Sequence, residues 1–127
     1  MIAVDTSALM AVILREPRWD ACIAALSPED RVLVSAGTLV EALIVSQRRG
    51  VGDEMAELID GIKIDVVAVT QATAKRISQI HSRWGRGIHP AALNFGDCFA
   101  YDVAREHSCR LLYVGDDFSK TDIESVL

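Results

Sequence analysis

The chain has 127 residues, half of them hydrophobic and only 6% aromatic, which suits one compact domain spanning 1–127 with a core of Ala, Val, Leu and Ile. No apolar run is long enough to cross a bilayer and the N-terminus carries no basic leader, so a cytoplasmic protein without membrane attachment is expected. The net charge of −5, from 13 basic and 18 acidic residues, argues against a wholly basic nucleic-acid surface but permits a local one.

Ile2 to Val4 forms a short apolar run of the kind that buried parallel strands show, and Asp5-Thr6-Ser7 follows at once. A helix is predicted from Thr6 to Arg15, ended by Glu16-Pro17. A second covers Trp19 to Leu26, with Trp19, Cys22, Ile23 and Leu26 at helical spacing. Arg31 to Ser35 is a second buried strand, followed by a strong helix from Thr38 to Arg49 that stops at Gly50. Gly52 to Ile62 is helical, Ile64 to Val69 is a third strand, and Thr70 caps a helix running to about Trp84.

Gly85 to Pro90 is the longest loop signal, Phe95 to His107 is helical, and Arg110 to Val114 is a fourth strand. Ile123 to Leu127 is a candidate short last strand. Strands alternating with helices imply an α/β fold, a mostly parallel sheet of four to five strands covered by helices on both faces. Cys22, Cys98 and Cys109 form no C-x-x-C pair, so reduced thiols are expected rather than disulfides or a zinc site. The three histidines show no ligand spacing.

The chemistry lies in the acids. In an open parallel sheet, ligands bind in the crevice at the carboxyl ends of the strands. Asp5 follows the first strand and either Asp116 or Asp117 follows the fourth, so both belong to that edge. An Asp there also caps helices and turns, so neither position decides the matter alone. Glu41 lies within Leu39-Val40-Glu41-Ala42-Leu43-Ile44-Val45, a stretch apolar enough to be largely buried, where a carboxylate needs a partner, a proton or a metal. Asp97, in Asn94-Phe95-Gly96-Asp97, falls in the first turn of its helix, where the dipole favours an anion. Carboxylates crowded together call for a cation, and an oxygen-only set selects a hard one, Mg²⁺ or Mn²⁺. Metal-assisted phosphodiester hydrolysis is the chemistry such a site serves. Arg83 and Arg86, with Arg48 and Arg49, are the candidates for phosphate contacts.

Four segments in order resemble the PIN-domain ribonucleases, and among them the VapC-type toxins of bacterial toxin–antitoxin pairs. They are Val4 to Leu9, Leu39 to Ala42, Leu93 to Tyr101, and Leu112 to Ile123. The resemblance implies a three-layer α/β/α sandwich and a Mg²⁺- or Mn²⁺-dependent endoribonuclease. It assigns Asp5, Glu41, Asp97 and Asp117 as catalytic metal ligands, and Ser7 as the small polar residue that steadies the first Asp beside the substrate. It also implies a homodimer and a cognate antitoxin. Asp117 is favoured over Asp116 because it directly precedes Phe118, and Gly115 stands where many PIN domains carry an earlier acid.

Two other readings compete. A haloacid-type phosphatase or a receiver domain also places an Asp after its first strand, but the phosphatase needs a second Asp two residues on, where Ser7 stands. A non-catalytic PIN-like RNA- or protein-binding module would have lost acids, and here all four positions are filled.

Overall fold

The computed structural model describes all 127 residues. In chain order the elements are β1 (Ile2–Val4), α1 (Thr6–Leu14), α2 (Trp19–Leu26), β2 (Val32–Ser35) and α3 (Ala36–Arg48). There follow α4 (Gly52–Gly61), β3 (Asp65–Val67), α5 (Gln71–Trp84), α6 (Phe95–Glu106) and β4 (Arg110–Leu112). The four strands form one sheet in the order β3-β2-β1-β4, parallel throughout. Ala3 on β1 is in register with Leu33 on one side and Leu111 on the other.

Alternation along these strands divides the core in two. Ala3, Leu33 and Leu111 pack with Trp84 of α5 and Cys98, Tyr101 and Val103 of α6. Ile2, Val4, Val32, Val34 and Leu112 turn the other way, onto Ala8 and Leu9 of α1, Leu26 of α2, Ala42 of α3 and Met55 of α4. Both faces of the sheet are thus covered, which is why its strands are apolar without a polar alternation. Each fully buried Leu, Ile or Val contributes roughly 1.5–3 kcal/mol. No helix is long and apolar enough to cross a membrane.

The expected elements are present, with corrections at their ends. Helix α3 starts two residues earlier than Thr38, because Ser35 ends β2 and caps the helix at once, its hydroxyl accepting from the Gly37 amide at 3.2 Å. Strand β3 is only Asp65–Val67. The last-strand candidate reduces to a single parallel bridge between Leu111 and Ser125. Helix α3 is not largely buried: only Thr38, Ala42 and Ser46 are, while Val40 and Ile44 are 55% and 48% exposed. Its apolar composition serves two faces, one on the core and one open. The three cysteines are free thiols.

Candidate active site

Asp5 leaves β1 and caps α1. Its Oδ2 accepts from the Ser7 amide at 3.0 Å and from the Ser7 hydroxyl at 2.7 Å. The Ser7 hydroxyl in turn accepts from the Val114 amide at 3.1 Å, so it ties the end of β1 to the chain leaving β4. The capping reading of Asp5 therefore holds for one oxygen, Oδ2. Oδ1 is buried and has no hydrogen-bond partner. A buried acceptor left in that state is costly, and a carboxylate more so. Burial, against the lowering pull of Ser7 and with the charge of Glu41 adding to it, pushes Asp5 up to about 6.

Glu41 reaches this edge from the second turn of α3. Its Oε1 accepts from the Thr6 hydroxyl at 2.6 Å, and the carboxylate lies over the backbone of Gly96. Asp97 sits in the first turn of α6 and forms a capping box with Asn94. Asp97 Oδ2 accepts from the Asn94 amide at 3.0 Å, and Asn94 Oδ1 accepts from the Asp97 amide at 2.9 Å. Only 7% of Asp97 is exposed, and burial pushes it up to about 7. The Asn94 bond opposes that rise, and the charges of Asp5, Asp117 and Glu41 add to it.

The charge of Asp117 thus acts on Asp97, although the Asp117 side chain is itself exposed. Gly115 turns the chain at φ +98, a conformation L side chains rarely adopt, so an acid at 115 would be strained in this loop. As they lie, no three of these carboxylates stand close enough to close around one ion. Two of the four keep an oxygen free of hydrogen bonds inside a buried edge, and all are hard donors, so the residues fit Mg²⁺ or Mn²⁺.

The basic candidates lie elsewhere. The Arg83 guanidinium stacks over the Trp84 ring at 4.6 Å and lines a cleft between α5 and α6 with Arg76, Tyr101 and Asp102. Arg86 is exposed just beyond α5. Arg48 and Arg49 stand at the far end of α3, about 10 Å along the helix from Glu41. His89 packs edge-on against Trp84, and His107 bonds the Val103 carbonyl. Buried Asp102 is a fifth acid that does not join the cluster, because Arg76 holds it at 2.7 and 3.0 Å. The sequence reading missed Thr6 as the partner of Glu41. The Thr-Ser pair after Asp5 is the only signal of it in the sequence.

The parallel sheet covered by helices on both faces, with Asp5 leaving β1 at its carboxyl edge, defines an α/β fold of the PIN type. The chain belongs to the PIN domain family, whose model matches residues 2–124, and within it to the VapC ribonucleases. It is 35% identical to VapC ribonuclease Mb0640 of Mycobacterium bovis, over 98% of both chains. It is 40% identical to ribonuclease VapC36 of Mycobacterium tuberculosis, over 95% of this chain and 90% of the relative. Among solved structures, M. tuberculosis VapC20, a sarcin–ricin-loop-cleaving toxin, superposes with a TM-score of 0.80 at 20% identity, covering 99% and 98%. A toxin–antitoxin complex from Klebsiella pneumoniae superposes at 0.70 with 16% identity, covering 96% and 93%.

Proposed function

We propose that this ribonuclease cleaves RNA by divalent-metal-assisted hydrolysis, with Asp5, Glu41, Asp97 and Asp117 holding Mg²⁺ or Mn²⁺. The observation that carries the reading is the buried, partnerless Oδ1 of Asp5 beside an Asp97 raised to about 7 by burial and by its acidic neighbours. When bound, the ion supplies the charge that acidifies the attacking water and steadies the departing oxygen. The chain's own contribution is orientation. Ser7 fixes one oxygen of Asp5 and leaves the other free, the capping box does the same for Asp97, and Thr6 holds Glu41. Arg83 on its Trp84 platform and exposed Arg86 are read as phosphate contacts for RNA running away from the cut.

Millimolar MgCl₂ should raise the melting point by mass action. Asp5→Asn should remove that response and raise the metal-free melting point, since it deletes a charge the fold must bury. A full Mg²⁺ shift in Asp5→Asn would sink the assignment.

The partners we infer are a cognate antitoxin and a second copy of the chain, in the cytoplasm. Val12 of α1, Ile23 and Leu26 of α2, Leu58 of α4 and Ile62 just beyond it line a groove together with Ser27 and Glu29. An amphipathic helix of the antitoxin suits it. Trp19, which is half-buried beneath Arg15, lies outside that lining. Ile23→Asp should weaken antitoxin binding, measured by calorimetry, at least 10-fold, the scale of burying an unpaired charge, and leave the cleavage rate unchanged. Equal affinity would remove the groove from consideration. The open face of Val40 and Ile44, continued by Phe99 packed on Gly37 and Phe95 on Phe99, is the apolar surface a homodimer would cover.

A further inference from the structure

Gly96 occupies the second position of α6, where glycine is a poorer choice than almost any residue except proline. Backbone conformation does not require it, since Gly96 is not among the positive-φ glycines. Room for Glu41 does. A Cβ at position 96 would stand 2.8 Å from Glu41 Cδ and 2.9 Å from Oε1, and nearer still to Oε2, whereas real Cβ atoms essentially never come within 3.0 Å of a neighbour. From the other side, the Thr6 hydroxyl donates to Oε1 at 2.6 Å. The carboxylate of Glu41 is thus held between a missing side chain on α6 and a hydroxyl on α1.

We propose that Gly96 and Thr6 are positioning residues for the nuclease site, a seat that sets the Glu41 carboxylate beside Asp97. The proposal rests on Glu41 belonging to the acid set. The atoms displaced by a methyl group at 96 are the far end of a flexible side chain, so Gly96→Ala moves the carboxylate and spares the helix. Alanine also favours a helix more than glycine does. The substitution therefore separates site from fold: it keeps or raises stability while misplacing a functional group. Misplacements near 1 Å cost about 100-fold in rate. Thr6→Val removes the hydroxyl at nearly constant volume, and Thr6→Ser restores it.

The test begins with Glu41→Gln, which must abolish the Mn²⁺ heat in titration calorimetry and RNA cleavage. If it leaves both intact, the acid-set reading fails, and the seat with it. Given that loss, Gly96→Ala should melt at or above the wild-type temperature without metal. It should weaken Mn²⁺ binding by about 10-fold or more and lower kcat by about 10- to 100-fold. Thr6→Val should weaken Mn²⁺ binding in the same direction, and Thr6→Ser should return it. Wild-type Mn²⁺ affinity and kcat in Gly96→Ala would overturn the proposal. So would a lowered metal-free melting point, which would make Gly96 a packing residue.

Discussion

Asp97→Asn should reduce RNA cleavage by on the order of 10²–10³-fold, the scale on which removing one preorganised charge-stabilising group acts. The fold has little reason to suffer. An Asn side-chain oxygen can still accept from the Asn94 amide, so the capping box that starts α6 survives. What is lost is one negative charge at the place on which the charges of Asp5, Asp117 and Glu41 act. In cells without an antitoxin, the wild-type chain should arrest growth and the variant should not. Equal tolerance of the two would end the toxin assignment while leaving the fold untouched.

The second large effect is a pH dependence opposite to that of most acids. A carboxylate paired with a cation titrates below its unfolded value and stabilises the fold as pH rises. Asp5 and Asp97 do the reverse, standing at about 6 and about 7 in the fold against an unfolded value of 3.8. Between pH 4 and 7 the folded state therefore binds more protons than the unfolded one, so stability falls as pH rises through that window. Below pH 4 both states are protonated and this penalty is absent; above pH 7 it is fully present. A tenfold change in proton affinity is worth about 1.4 kcal/mol, so ionising Asp5 alone costs the fold about 3 kcal/mol. Denaturant titrations in EDTA should show the metal-free protein more stable at pH 5 than at pH 8, with saturating Mg²⁺ reducing the difference. A metal-free stability that climbs from pH 5 to 8 would contradict the burial of these acids.

The sheet was legible because parallel strands buried on both faces are continuous apolar runs: Ile2–Val4 and Val32–Ser35 could hardly be anything else. The acids that follow strands were legible for the same reason, since the end of a run fixes the edge. Glu41 was found by a flawed route. Its neighbours Val40 and Ile44 suggested burial, yet they are exposed, and the carboxylate is held by Thr6 rather than by a closed core. Composition around a helix cannot say which face meets the core when both are apolar. Gly96 has no local explanation in the sequence, because the reason for it lies 55 residues away on α3. Long-range packing of this kind leaves no periodic trace.

Ser7 and Val114 meet across 107 residues, and β1, the first strand made, has one of its two neighbours in β4, the last. During translation at about 5–20 residues per second, the ribosome must run for several seconds after Asp5 emerges before residues 110–117 exist to complete its surroundings. A nascent chain in that interval has three of the four acids at most and an open edge along β1. A chain that ends before Leu112 lacks part of β4 and all of Asp117, so such truncated fragments should cleave no RNA, which an assay of the purified fragments checks.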